Sequence, residues 1–389
     1  MKKVKGDYAS RSMSDNLEDL AKRNKSYCPA AFREIYVDGS GQYKPCCYFG
    51  KNDDLKKYKD DTTLPFEFFF SKEMEDMRNK MYAGEPIKGC ETCVQMEKRV
   101  GSSYRTKRYI RKFNFVSDIE DIQLKLRVNG SYCNLGCYMC FPNNSSTRRN
   151  ELTAVYGKDY NKMSGFEKPY NAVKHEQWNK IMNNIVENID LVGYIKMTGG
   201  EPLQLPKHWE FIDRIPDDAA KRIMLSYDTN YTKIRYKNRS IYEVVDKFKN
   251  VHIGVSCDHF GDKLKWIRYP IDVKEFEDNL KEAGHLVNYL NCTVSILNVF
   301  DILEIQKYYR NNFNLLVTFH NIARGPQMLS ICNLPYNIKQ ELIEKYKDFP
   351  FVVDELKKPS WGLYEKGLEY CQKLSDHRGF QFRELWPEL

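Results

Sequence analysis

The sequence predicts an α/β fold, a partial (β/α)6 barrel with a small cysteine-rich module before it and helices after it. Two patterns carry that expectation. From residue 122 onward strand-like runs alternate with helix-like runs, the order that builds a parallel sheet or barrel. The residues that bear chemistry fall just after those runs, where strand-to-helix loops converge in such an architecture.

The strand candidates are IQLKLRV (122–128), LVGYIKM (191–197), RIMLSYD (222–228), VHIGVSC (251–257), TVSILN (293–298) and LLVTFH (315–320). Helices are expected between them, notably at 175–189 (HEQWNKIMNNIVENI) and 273–290 (VKEFEDNLKEAGHLVNYL), where apolar residues recur at helical spacing. The stretch 141–172 is polar and reads as irregular. After residue 336 two amphipathic segments, NIKQELIEKYKDFPFVVDELKKPSW and LYEKGLEYCQKLSDHRG, predict C-terminal helices. The expected division is therefore 1–120, 121–335 and 336–389. Within the first part, FREIYVDGSGQYKPCCYFG predicts a hairpin turning at Gly39 to Gly41, and SKEMEDMRNKMY predicts a helix at 71–82 capped by Ser71, with Met74, Met77 and Met81 as core contacts.

Composition narrows the function classes. At 389 residues, 42% apolar and 29% charged, the chain has the make-up of a soluble globular protein, and no run of about 18 apolar residues spans a bilayer. The N-terminus begins MKKVKGDYAS without the apolar stretch of a secretory signal, so a cytoplasmic location is expected. The net charge of +8 is spread among acidic residues, which does not indicate a nucleic-acid surface.

Twelve cysteines in a cytosolic setting point to metal binding or catalysis rather than disulfides. They gather as Cys28, Cys46 with Cys47, Cys90 with Cys93, and Cys133, Cys137 and Cys140; Cys257, Cys292, Cys332 and Cys371 stand alone. The triplet Cys133-Asn-Leu-Gly-Cys137-Tyr-Met-Cys140 directly follows the first barrel strand and puts three thiols on one loop. A cube of four irons takes one sulfur ligand per iron, so three cysteines leave one iron open. At the end of the second strand stands Met197-Thr-Gly-Gly-Glu-Pro202, whose glycines let backbone run close to a ligand.

The CxxxCxxC loop, its place after the first strand, and the Gly-Gly-Glu-Pro partner together resemble the radical S-adenosylmethionine (radical SAM) superfamily, whose members are built on partial TIM-like barrels. The chain departs from many members in having Met139 before the third cysteine and Tyr138 one position earlier. The resemblance implies an oxidoreductase or modifying enzyme in which a [4Fe-4S] cluster on Cys133, Cys137 and Cys140 cleaves S-adenosylmethionine to a 5′-deoxyadenosyl radical that abstracts hydrogen from a substrate. It further implies that Gly199, Gly200, Glu201 and Pro202 hold the methionyl amino group, that Ser256 and Arg268 meet ribose and carboxylate, and that Asn230 and Asn298 contact ribose or adenine. Cys28, Cys46, Cys90 and Cys93 look like the ligands of an auxiliary [4Fe-4S] module of the twitch or SPASM kind, with Cys46 favoured over Cys47 by its spacing from Gly41; here the module precedes the barrel. A zinc site is the alternative for those four thiols. Cys257, Cys332 and His320 are candidates for facing the cavity, against an ordinary structural role for each.

The implied substrate is a peptide or protein, modified by oxidation, cross-linking or epimerisation, with a flavodoxin- or ferredoxin-type protein as electron donor. A nucleotide, nucleic acid or small alcohol or carbohydrate is the alternative within the superfamily. A zinc-stabilised binding protein is the alternative outside it.

Overall fold

The computed structural model describes residues 24–50, 55, 63–101, 103–106, 122–127, 132–162 and 173–389. The N-terminal 23 residues, Val128 at the end of the first predicted barrel strand, and 163–172 of the polar stretch lie outside them.

The strands are β1 (Glu34–Val37), β2 (Tyr43–Lys44), β3 (Ile122–Leu126), β4 (Val192–Met197), β5 (Met224–Thr229), β6 (Arg235–Tyr236), β7 (Arg239–Ser240), β8 (Asn250–Ser256), β9 (Val287–Val294) and β10 (Val317–Ile322). Eight of them form one sheet in the order β10-β9-β8-β5-β4-β3-β1-β2, while β6 and β7 pair separately. The six strands β3, β4, β5, β8, β9 and β10 run parallel, each beside its sequence neighbour within that set. This is the predicted α/β architecture, a partial barrel whose parallel strands are joined by helices.

Burial explains why these segments are strands. In β3, Ile122, Leu124 and Leu126 are buried, as are Ile195 and Met197 of β4 and Ile253 and Val255 of β8; the two-residue spacing puts each strand's set on one covered apolar face. The crossover helix His175–Glu187 buries Trp178, Ile181, Met182 and Ile185, one stripe at helical spacing, and ends close to the predicted limit.

Two expectations are corrected. The helix at 273–290 stops at Ala283, and Val287–Val294 is strand β9, so the fifth strand lies earlier than 293–298. The run LVNYL satisfies both periods, and pairing between β8 and β10 decides for strand. The polar stretch contains a helix, Ser146–Tyr156, with Ser145 Oγ accepting from the Arg148 amide at 3.0 Å. It lacks an apolar stripe because part of what it buries is charged, Arg148 and Glu151 beside Leu152.

Upstream of the barrel, the hairpin forms as β1 and β2, paired antiparallel. Ser71 caps the helix Lys72–Tyr82, accepting from the Met74 amide at 3.3 Å, and Met74, Met77 and Met81 are buried. β1 also pairs in parallel with β3, from Glu34 opposite Gln123 to Val37 opposite Leu126. The barrel sheet therefore continues into the cysteine-rich segment. C-terminal helices occur at Tyr336–Lys345, Pro350–Leu356 and Tyr364–Arg378. Among the described residues no helix is long and apolar enough to cross a membrane.

Candidate active site at the carboxyl end of the sheet

Cys133, Cys137 and Cys140 lie on the loop that follows β3, with Cys137 buried and the other two partly exposed. The loop is anchored at both flanks: Thr147 Oγ1 donates to the Cys133 carbonyl at 2.7 Å, and the Tyr138 amide donates to the Ile267 carbonyl at 3.1 Å. Burial pushes all three thiols up, Cys140 to about 12, so a bare loop holds protonated thiols and metal binding must displace the protons.

Neighbouring strand ends converge on these sulfurs. From the end of β5, Asn230 Nδ2 faces Cys133 Sγ at 3.7 Å and donates to Asn134 Oδ1 at 2.9 Å. From beyond β8, Arg268 Nη1 faces Cys137 Sγ at 3.8 Å. N–H donors and a cation beside sulfur suit thiolate ligands, so the donor set fits an iron-sulfur cluster. Among the described residues no group of three or more His, Cys, Asp or Glu is gathered as the ligand set of a single metal ion. A four-iron cluster makes a different demand, since each thiolate meets its own iron.

After β4, Gly199 and Gly200 have φ of +82° and +65°, a region that side-chain-bearing residues avoid. A Cβ at Gly199 would stand 3.1 Å from the Arg127 side chain. Arg127, at the end of β3, donates to Tyr36 Oη at 3.2 Å and to Asn144, and so ties strand β1 to the loop after β3. The sequence reading missed it, and its place at a strand end was the available signal.

Glu201 was expected to offer its carboxylate to an ammonium group. Instead it is 1% exposed and its oxygens are engaged within the protein: Oε1 accepts from Thr229 Oγ1 at 2.6 Å and the Leu203 amide at 3.3 Å, and Oε2 from the Asn230 amide at 2.7 Å. The Glu201 amide donates to the Tyr132 carbonyl at 2.9 Å. Glu201 thus holds the loops after β3, β4 and β5 together, and burial lifts its carboxyl to about 7 against the opposing pull of those hydrogen bonds.

Arg268 was expected as a clamp for the carboxylate of S-adenosylmethionine. The structure gives it a protein partner, Asp258, at 2.6 Å, with both residues buried. Asp258, which the sequence reading passed over, accepts from the Thr293 amide at 2.7 Å and holds the guanidinium against Cys137. Asn298 is engaged within the protein more fully. It is wholly buried, Oδ1 accepts from the Ser295 amide at 2.8 Å, and Nδ2 donates to the Asp258 and Thr293 carbonyls at 3.0 and 3.1 Å. These bonds tie the turn after β9 to the loop after β8. Ser256 ends β8 partly exposed, and Pro202 is buried at the start of a single helical turn.

The singletons take structural places. Cys257 and Cys332 are fully buried, with Cys257 Sγ donating to the His259 carbonyl at 3.3 Å and Cys332 Sγ accepting from Ser330 Oγ at 3.3 Å. His320 is exposed on β10, in a cleft of about 200 Å³ that also involves Phe319, Phe349 and Phe351.

Upstream, Cys28 and Cys46 are buried, Cys90 and Cys93 partly exposed, and Cys47 exposed. The Gly50 amide donates to the Gly89 carbonyl at 2.8 Å, joining the segment after Cys46 to the one before Cys90. Burial pushes the thiols of Cys28 and Cys90 up to about 12, and negative charge on neighbouring cysteines adds to it: Cys93 acts on Cys28, and Cys28 and Cys93 act on Cys90. Cys46 is raised by burial, then by Glu34 and Cys28.

Distant likenesses exist among solved structures. Native anSMEcpe with bound AdoMet is 17% identical, with a TM-score of 0.41 over 58% of this chain and 59% of that one. Streptococcus suis SuiB bound to precursor peptide SuiA is 15% identical, with a TM-score of 0.39 over 77% and 54%. TYW1 with a lysine-pyruvate adduct bound is 13% identical, with a TM-score of 0.35 over 72% and 90%. The chain therefore spans 59% and 54% of the length of the first two. A search of curated proteins gives no significant match. Residues 130–304, which contain the three-cysteine loop, the Gly199–Pro202 turn and Arg268, match the sequence profile of the Radical SAM superfamily.

Proposed function

We propose that the protein is a radical SAM enzyme that modifies a peptide or protein substrate by hydrogen abstraction, with a second cluster relaying electrons. The observation that carries the enzyme reading is the convergence at one strand end: three thiols after β3, met by Asn230 from β5 and by Arg268 from beyond β8. A cluster bound there supplies the electron that splits S-adenosylmethionine into methionine and a 5′-deoxyadenosyl radical. The chain's own residues orient and shelter that chemistry. Gly199 and Gly200 admit the cofactor's methionyl end close to backbone, Glu201 keeps that turn in register with Asn230, and Ser256 offers a hydroxyl at the end of β8. Asp258 and Arg268 place a fixed cation at Cys137.

Cys28, Cys46, Cys90 and Cys93 hold the second [4Fe-4S] cluster in this reading, with all four irons ligated and none left for a reactant. The electrostatic influence of Cys93 on Cys28, of Cys28 on Cys46, and of Cys28 and Cys93 on Cys90 supports the set, and the exposure of Cys47 favours Cys46 as the ligand. The peptide substrate, the flavodoxin- or ferredoxin-type donor and the cytoplasmic location follow from the superfamily's commonest uses rather than from geometry.

Iron counting after anaerobic reconstitution tests both sites. About eight irons per chain are expected, falling by about half when Cys133, Cys137 and Cys140 are changed together to Ala, and by about half when Cys28, Cys46, Cys90 and Cys93 are. Stoichiometric zinc with no iron at either site contradicts the proposal, and zinc confined to the upstream site contradicts the relay alone.

A further inference from the structure

The cysteine loop rests on buried charges that the sheet does not supply. Arg378, the last residue of the helix Tyr364–Arg378, donates through Nη2 to the Gly136 carbonyl at 2.8 Å and through Nη1 to the Trp266 carbonyl. Arg148 Nη2 donates to the Tyr138 carbonyl at 2.9 Å, and Tyr370 Oη donates to the same oxygen at 2.8 Å. Both arginines share one carboxylate, Glu151: Arg378 reaches it through Nε at 2.6 Å and Nη2 at 2.9 Å, and Arg148 through Nη1. Arg148 is 0%, Glu151 6% and Arg378 7% exposed. Two guanidinium groups against one carboxylate leave one unit of positive charge beneath the loop, where water screens it little.

Arginine suits both halves of this task. Its planar fork can bind a carboxylate and a carbonyl in different directions at once, and its charge persists on burial. The backbone between Cys133 and Cys140 exposes its Gly136 and Tyr138 carbonyls to these donors, so both spacer segments are held from one side. The residues doing so come from the first helix after the loop and from the far end of the chain.

We propose that Arg378 is a positioning residue for the three-cysteine loop, and that its net positive charge with Arg148 and Glu151 raises the reduction potential of the cluster bound there. This rests on reading Cys133, Cys137 and Cys140 as cluster ligands. The C-terminal helix is then a working part of the site, since its charge favours the added electron while its hydrogen bonds fix the ligand spacing.

The test uses the full chain, reconstituted anaerobically, with the potential followed by the electron paramagnetic resonance signal that responds to S-adenosylmethionine. Arg378→Gln is expected to lower the midpoint potential, Glu151→Gln to raise it, and the double variant, which restores the original net charge, to return it toward wild type. A purely structural role would cost iron in all three without opposite shifts. Loaded Arg378→Gln with an unchanged potential overturns the proposal. Should the variants not load, hydrogen exchange on wild type decides. Residues 364–378 are expected to gain protection together with 133–140 when the cluster is inserted, and unchanged exchange in 364–378 overturns the inference. A wild-type chain that takes no iron on the three-cysteine loop overturns the ligand reading itself, whereas a loaded wild type with an unresponsive helix overturns this inference alone.

Discussion

Glu201 shows how a residue can stand out in the sequence while its surroundings do not. Its glycine-flanked position was legible in the sequence, but the donors that occupy it, Thr229 and the Asn230 amide, arrive from another strand. Burial raises its carboxyl from 4.5 to about 7, so the folded protein holds this proton more tightly than the unfolded chain does. Its contribution to stability is complete below the unfolded value and is lost as pH rises through about 7. Urea midpoints of the metal-free protein are therefore expected to fall between pH 5 and 8, with a flatter profile for Glu201→Gln; parallel profiles would count against this assignment. Asn298→Ala should destabilise by about 2–3 kcal/mol in urea, because it strands buried partners that the amide now satisfies, and should leave S-adenosylmethionine affinity unchanged. The three-cysteine grouping could be read from spacing because three thiols on one loop form a local pattern. The Asp258–Arg268 pair could not, because sequence does not show which charges meet.

Among the elements, long periodic segments were legible and ambiguous ones were not. The helix His175–Glu187 and the strands β3, β4, β5, β8 and β10 lie where alternation and apolar spacing put them, within a few residues. β9 was misread because Leu286 to Leu290 fits either period, and only its place between two strands resolves it. Helix Ser146–Tyr156 was invisible because its buried side includes an ion pair in place of an apolar stripe. That helix begins where the cysteine loop ends. Ser145 is fully buried, caps the helix through Arg148, and donates to the Leu135 carbonyl inside the loop. Ser145→Ala is expected to cost about 2 kcal/mol, a lost cap plus an unmet buried carbonyl, and to speed iron loss from the three-cysteine site without affecting the upstream thiols. Denaturant titration with iron release to a chelator measures both, and equal iron loss at both sites would contradict the local role. Gly199→Ala should cost about 1–2 kcal/mol through its positive φ, aggravated by contact with Arg127.

Across the whole molecule, one sheet connects the two cysteine groups. Cys28 precedes β1 and Cys133 follows β3, and since β1 and β3 are parallel neighbours the groups stand toward opposite ends of the same sheet edge. The far C-terminus returns to the loop through Arg378 and Tyr370. Long-range closure of this kind leaves no mark on local sequence, which is why the terminal helices read only as an extension. The central claim is that the convergence on Cys133, Cys137 and Cys140 is a site for reductive cleavage of S-adenosylmethionine. Its most direct test is to incubate the anaerobically reconstituted, dithionite-reduced protein with S-adenosylmethionine and quantify 5′-deoxyadenosine. Release that depends on reductant and vanishes in the triple Cys133, Cys137 and Cys140 alanine variant is the predicted result; no release from a fully iron-loaded, reduced wild-type protein would contradict it.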